Sequence, residues 1–281
     1  MQQEMLRSLQ LIELKILLEV KRICDKHSIK YFLIGGTLLG AVRHQGFIPW
    51  DDDIDIGMFR VDYEIFLSVA RNELNSEFFL QTVDSDSGHC LPYGKVRLNK
   101  TNYPEAANLH VLENRGIWVD IFPFDNIQKP KERSPVYYVV LSVLDSIIFQ
   151  KYDYQFKSIS TIRKCYNSIL KLISYMFPKN VLLNVRNSIM QHYNKYQTEY
   201  IINWPYKSAK REYFDELTEL PFETVSFPVP KKYHEYLTSF YGDYMRIPPE
   251  NERPKHSPYE PDFGKYAYIK TLDDVLPKKK E

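Results

Sequence analysis

The sequence predicts an α+β fold in which a mixed sheet is flanked by helices and interrupted by a helical insert. Two observations carry that expectation. Residues 53–56 and 117–121 have the two-residue period of strands, and residues 31–34 form a short apolar run that reads as a buried strand. Residues 136–200 contain no glycine and one internal proline, Pro178, and their apolar residues recur at helical spacing.

Residues 1–27 open the chain. Leu6, Leu9, Ile12, Ile16, Val20 and Ile23 follow spacings of three and four, which predicts an amphipathic helix with one buried face packed on the core. Glu4, Arg7, Glu13, Lys15 and Glu19 interrupt the apolar residues, unlike a signal peptide. Residues 31–34 read as a buried strand. It runs into Gly35-Gly36-Thr37-Leu38-Leu39-Gly40, which holds three of the chain's ten glycines. A strand that turns into a short helix this way presents backbone N–H groups at the helix start, and glycine lets a phosphate approach them closely. Arg43 and His44 end that turn, where they would meet a phosphate or a substrate hydroxyl.

Four aspartates follow within five residues, Asp51, Asp52, Asp53 and Asp55. In Asp53-Ile54-Asp55-Ile56 the alternation predicts both carboxylates on one strand face and both isoleucines on the other. Neighbouring carboxylates repel unless a cation sits between them. An all-oxygen set suits Mg2+ first and Mn2+ second, the ions that phosphoryl chemistry uses to neutralise phosphate charge. Downstream, Ile117, Val119 and Ile121 share one predicted strand face, and Trp118 and Asp120 take the other. Phe122-Pro123 ends that strand. A carboxylate in that position is either a buried ion-pair partner or part of a metal site.

In the middle of the chain, residues 159–177 and 181–196 read as helices separated by a turn at Pro178-Lys179-Asn180. Residues 136–149 are strongly apolar but shorter than the roughly 20 residues that span a bilayer. The insert reads as a packed lid or subdomain. A sharper reading is a docking surface for an amphiphilic acceptor or the inner membrane face, with charge from Lys151, Lys157, Arg163, Lys164, Lys171 and Lys179 if they share a face. In the last third, residues 223–229 predict a short strand pair, 231–241 a helix, and 244–259 a proline-rich loop carrying Arg253 and His256. These elements divide the chain into a catalytic core with its N-terminal helix (1–132), a helical insert (133–200) and a C-terminal part that completes the catalytic domain (201–281).

Composition narrows the function. The net charge is +1, and no basic stripe carries interleaved aromatics, so nucleic acid is not an expected partner. Three separated cysteines and no CxxC spacing argue against structural zinc and fit a reducing cytoplasm. Lys278-Lys279-Lys280 reads as a solvated tail.

The block Gly35-Gly36-Thr37-Leu38-Leu39-Gly40-Ala41-Val42-Arg43-His44, continued by Gly46-Phe47-Ile48-Pro49-Trp50 and the aspartates through Ile56, resembles the LicD family. Tyr93-Gly94-Lys95-Val96-Arg97, the segment Gly116 to Pro123, Phe227-Pro228-Val229-Pro230 and Tyr241-Gly242-Asp243-Tyr244 resemble its later blocks. The first block is specific and long. The others are short, and the resemblance is strong in about a third of the chain. It implies a nucleotidyltransferase-like fold. It also implies metal-dependent transfer of a phospho-alcohol, phosphocholine by default, from a CDP-linked donor to a cell-surface glycan or lipid-linked glycan such as teichoic acid, lipopolysaccharide or capsule, with release of CMP. Carried over by residue, it implies metal on Asp53, Asp55 and Asp120, with Asp51 or Asp120 as the base. Gly35, Gly36, Thr37, Arg43, Lys95 and Arg97 would bind donor phosphate, and His44, Trp118, Arg253 and His256 would contact substrate. Tyr93, Tyr103, Trp118 and Phe122 are candidate walls for a choline cage. Such an enzyme belongs in the cytoplasm, free or peripheral at the inner membrane face. The alternatives are ribitol-phosphate or glycerol-phosphate transfer, a true nucleotidyltransferase that leaves NMP on its acceptor, and a non-catalytic glycan-binding assembly protein.

Overall fold

A computed structural model describes residues 3–129, 135–155, 160–253 and 259–276. Its main sheet runs in the order β1 (Phe32–Leu33), β2 (Asp55–Phe59), β5 (Trp118–Ile127), β4 (Gly94–Leu98), β3 (Phe78–Gln81). Only β2 and β5 pair in parallel; the other pairs of this sheet are antiparallel. β5 is long enough to serve twice. Its first half pairs with β2 and β4, and Asp125 to Ile127 pair with β6 (Tyr200–Asn203), which carries β7 (Lys207–Lys210). The mixed sheet and its flanking helices are the α+β architecture expected from the sequence.

The parallel register fixes the site. Asp55 lies opposite Asp120, and Ile56 opposite Ile121. Ile54, Ile56, Ile117, Val119 and Ile121 are all fully buried, so the predicted apolar faces of both strands point into one core. The second strand begins only at Asp55, so Asp53 stands just before it rather than within it.

Helix α1 (Gln3–His27) buries more than the one face expected. Leu11, Leu14 and Leu17 join the predicted stripe in the core, and Gln10, Glu13 and Glu19 are buried with them. The reason is tertiary. Arg7 forms a two-pronged ion pair with Glu223 (2.9 and 2.7 Å), and Lys270 donates to Ser8 (3.1 Å), so C-terminal segments cover the side that faced solvent in the prediction. Short helix α2 (Gly35–His44) leads away from β1, and α3 (Arg60–Glu73) follows β2.

The insert forms α4 (Pro135–Lys151), α5 (Thr161–Tyr175) and α6 (Lys179–Met190), with Pro178 capping the last. Leu144, Ile148, Leu182 and Leu183 build a small second core together with Tyr152, Tyr154, Cys90 and Val111. Among the described residues no helix is long and apolar enough to cross a membrane. The predicted C-terminal strand pair is a hairpin that starts earlier than expected. β8 (Leu217–Phe222) and β9 (Val225–Pro230) turn at Glu223, whose φ is +58°. Helix α7 (Tyr233–Tyr241) follows. Segments from the first and last thirds share one hydrophobic core, which runs from Leu9 to Ile269. Lys157, His256 and Lys278-Lys279-Lys280 lie outside the described residues.

Candidate active site

One cavity of about 460 Å³ opens where α2, β2 and α7 meet. Asp51, Asp53 and Asp55 line one wall, beside Gly35, Gly36 and Arg43. The aspartate loop alternates. Asp51 and Asp53 face the cavity, while Asp52 accepts a hydrogen bond from Tyr103 Oη at 2.6 Å. Gln10 of α1 donates to the backbone carbonyl of Asp51 at 3.0 Å and pins the loop from behind.

The glycine pair explains how the carboxylates come so close to the start of α2. A Cβ on Gly36 would lie 2.6 Å from Asp51 Oδ2, and one on Gly35 would lie 3.2 Å from Asp55 Oδ2. Gly35 also has a φ of +55°, a conformation costly to other residues. No side chain caps the start of α2, and the favourable end of its helix dipole lies near these carboxylates, with Tyr236 bonded to the Gly35 backbone. Thr37 is buried, and its hydroxyl accepts from the Asp55 N–H at 2.8 Å. Its side chain therefore positions Asp55 rather than facing the cavity.

The electrostatics follow from this crowding. Burial pushes the Asp55 carboxyl well above the carboxylate range, and Asp53, Asp120 and Asp51 push it further. Asp120 is also raised by burial, with Lys95 opposing the shift. Lys95 Nζ stands 3.0 Å from Asp120 Oδ1, so Asp120 has the ion-pair partner that the sequence left open as one of its two roles. Asp120 does not line the cavity; it backs Asp55 across the strand pair.

Lys95 and Arg97 do not stand where donor phosphate binding would place them. Both are fully buried on β4, opposite Asp120 and Trp118 respectively. Arg97 donates to Gln81 (2.5 Å) and the Gly116 carbonyl (2.7 Å), and both cations pair with Glu105. Their charge is used inside the sheet. Trp118 is buried between them, 4.4 Å from Lys95 and 4.9 Å from Arg97, and stacked on Tyr103, so it is a packing platform and not a cavity wall. Tyr93 and Tyr103 are likewise absent from the wall; of the four suggested cage residues, Phe122 alone lines it.

Arg43 does line the cavity. Its Nη1 donates to the carbonyls of Tyr244 (2.9 Å) and Arg246 (3.3 Å), which ties α2 to the C-terminal segment. Arg43 Nε donates to His44 Nε2 at 3.0 Å. Burial, and then the Arg43 charge, lower the His44 pKa and keep that ring neutral at pH 7. The Arg253 guanidinium stacks 4.1 Å from the Trp50 ring, which is itself a cavity wall.

Several residues here escaped sequence reasoning. Trp204, Tyr236, Phe240, Tyr241 and Tyr244 supply aromatic lining to the same cavity as the aspartates, and Tyr236 bonds to the Gly35 backbone. Tyr241 is pushed up to about 12 by burial and by Asp55, Asp51 and Asp53. Glu13 is buried on α1 with Oε2 lacking a hydrogen-bond partner. Its carboxyl is raised by burial and then by Asp53, Asp52, Asp51 and Asp120. The signal for Glu13 was present: residues 9–18 are too apolar for a helix with one wet face.

Among the described residues no three carboxylate, imidazole or thiolate groups converge closely enough to enclose a metal alone. Mg2+ is usually held by one or two carboxylates plus substrate phosphate oxygens. The mutual repulsion that raises Asp55 is what a divalent cation would relieve, and the donors are all hard oxygen. Asp53 and Asp55 are the residues that would hold it.

Comparison with known proteins places the sequence in a family. A family model described as LicD/FKTN/FKRP, nucleotidyltransferase domain, matches residues 28–159. The chain is 31% identical over 264 residues to the lipopolysaccharide cholinephosphotransferase LicD of Haemophilus influenzae, covering 89% of this chain and 95% of that protein. It is 45% identical over 40 residues to the human ribitol 5-phosphate transferase FKRP, covering 14% of this chain and 8% of that protein.

Proposed function

This chain belongs to the LicD family of phosphotransferases, and from that premise we propose that it moves a phospho-alcohol from a CDP-linked donor onto a glycan, with phosphocholine as the first expected group. The observation that carries the reading is the cavity itself. Three aspartates and the glycine start of α2 line it together with the aromatic rings of Trp204, Tyr236, Phe240, Tyr241 and Tyr244. A diphosphate fits the aspartates and the helix start through metal and helix N–H groups. A quaternary ammonium fits the rings, since cations bind aromatic faces.

Asp53 and Asp55 would hold Mg2+, which would supply Lewis-acid neutralisation of the donor phosphates. Arg43 adds positive charge at the same wall, where charge grows on the leaving nucleotide. Trp50, backed by Arg253, borders the donor's path. The acceptor hydroxyl oxygen bonds to the distal phosphorus as the bond from that phosphorus to the CMP oxygen breaks. CMP leaves with the electron pair, and a phosphodiester remains on the glycan. Asp51 takes the hydroxyl proton: it lines the cavity, whereas Asp120 is held by Lys95. The lipopolysaccharide acceptor named for the Haemophilus relative makes a lipid-linked glycan the acceptor to try first.

The test incubates purified protein and Mg2+ with CDP-choline, CDP-ribitol and CDP-glycerol, with and without candidate glycans, and follows CMP release. The Asp53→Asn, Asp55→Asn double variant is the control. CMP release from one donor, lost in the control, supports the proposal and identifies the donor. CMP left on the acceptor with the alcohol phosphate released would replace it with nucleotidyl transfer.

A further inference from the structure

Helix α5 is inside out. Its buried side carries Leu170 and Ser174, while Ile162 (84% exposed), Ile169 and Leu172 (68% exposed) form a row facing solvent. Helix α4, which packs against it, exposes Val136 (62%), Val139 and Val143 at spacings of three and four. Five large aliphatic side chains on two adjoining helices, Val139, Val143, Ile162, Ile169 and Leu172, therefore face solvent. A soluble surface rarely exposes such rows unless they meet a partner.

Charge identifies the partner. The whole chain is nearly balanced, with 37 basic and 36 acidic residues. Helices α4, α5 and α6 are not. They carry Lys151, Arg163, Lys164, Lys171, Lys179 and Arg186 against a single acid, Asp145. Asp145 and Arg186 are buried and face each other, and Lys171 pairs with Asp153 just after α4, which leaves Lys151, Arg163, Lys164 and Lys179 as the outward charge of these helices. A second copy of the chain would set basic face against basic face. An anionic lipid surface satisfies both the apolar rows and the charge.

We propose that the α4–α5 face docks on the surface of an anionic phospholipid bilayer, with the aliphatic rows entering the headgroup region and the basic residues meeting lipid phosphates. The geometry links this face to the reaction. On the inner side of α4, Asp145 accepts hydrogen bonds from Trp204 Nε1 (3.1 Å) and Tyr206 Oη (2.6 Å), and Trp204 lines the cavity. One helix, about 10 Å across, thus separates the lipid-facing rows from the cavity wall. A lipid-linked acceptor would be held at the membrane level where its glycan can enter. The inference does not depend on which donor the cavity takes.

The test uses the full chain. Cys165 is exposed on α5, whereas Cys24 and Cys90 are buried, so a polarity-sensitive thiol probe reports on α5 selectively. Vesicles of phosphatidylglycerol and phosphatidylcholine in equal parts are compared with pure phosphatidylcholine, by probe emission and by co-sedimentation. The expected result is a blue shift and sedimentation with anionic vesicles only, weakened about tenfold or more by Ile169→Glu with Leu172→Glu and weakened by Arg163→Ala with Lys164→Ala. Both pairs are exposed, so the melting temperature should hold. No binding to anionic vesicles, or binding indifferent to both double variants, would overturn the proposal. So would a dimer in solution that the Ile169→Glu, Leu172→Glu variant dissociates, which would assign the face to a second copy.

Discussion

Replacing Gly36 with alanine tests the site at its tightest point. The new Cβ would lie 2.6 Å from Asp51 Oδ2. Ordinary contact between such atoms needs about 3.5 Å, so one of them must retreat by about 1 Å. The Asp51 carboxylate is the end of a side chain and can rotate away; the backbone of α2 cannot. Gly36 does not have the positive φ that strains alanine, and alanine in a helix gains up to about 1 kcal/mol over glycine. Stability should therefore stay within about 1 kcal/mol of the parent. Activity should not, because a misplacement of about 1 Å in a reacting group costs about 100-fold. Gly40→Ala is the contrasting variant. Its Cβ would overlap the backbone carbonyl of Gly46, which has no rotamer to change, so overpacking should cost about 1–3 kcal/mol and lower the melting temperature. The assay pairs CMP-release kcat/KM with thermal unfolding for both variants. Full activity in Gly36→Ala would refute the placement of Asp51 in the reaction. A collapse in its melting temperature would refute the claim that the carboxylate yields rather than the helix.

Other expectations follow from the same geometry. Lys95→Met leaves Asp120 and Glu105 without a shared buried cation and should destabilise the fold by about 3 kcal/mol or more, seen in urea unfolding. Glu113 takes hydrogen bonds from Tyr154 Oη (3.0 Å) and Asn108, and burial raises its pKa to about 7. The folded state therefore holds this proton more tightly than the unfolded chain. The stability it provides is complete below the ordinary glutamate range and is lost as pH rises towards 7, so Glu113→Gln should raise the melting temperature at pH 8 and flatten its fall between pH 5 and 8. Trp204→Ala should raise KM for a choline-bearing donor about tenfold while leaving a polyol donor less affected, as steady-state kinetics on both would show. Mg2+ added to chelator-treated protein should raise the melting temperature, by about 2.7 kcal/mol of stabilisation at 100 times Kd, and the shift should vanish in Asp53→Asn, Asp55→Asn.

How much was legible in the sequence depended on the range of the interaction. Local periodicity sorted Ile54, Ile56, Ile117, Val119 and Ile121 from Asp53, Asp55 and Asp120 correctly, because a strand's two faces are set by the backbone alone. The glycine pair was legible as a place of close approach, although the groups that approach it in this structure are the protein's own carboxylates. Lys95 and Arg97 were misread as cavity cations because only strand register reveals what lies opposite. Their neighbours on β5 are Asp120 and Trp118, more than twenty residues downstream. The aromatic lining was invisible for the same reason. Trp204, Tyr236, Phe240 and Tyr241 reach the aspartates only after β6 pairs with the far half of β5 and α7 folds back towards α2.

That assembly also bears on why the insert is tolerated and what it does. β5 pairs with β2 and β4 through its first half and leaves Asp125 to Ile127 for β6, so everything between β5 and β6 can be lengthened without breaking the catalytic register. The insert's return is nevertheless fixed, because Asp145 of α4 holds Trp204 and Tyr206 immediately after β6. An element that served only to cover the cavity would need no solvent-facing aliphatic rows on its far side. Helix α4 has both, an inner face bonded to the cavity wall and an outer row of valines. That pairing is expected of a part that sets the reaction centre at a fixed height above a surface.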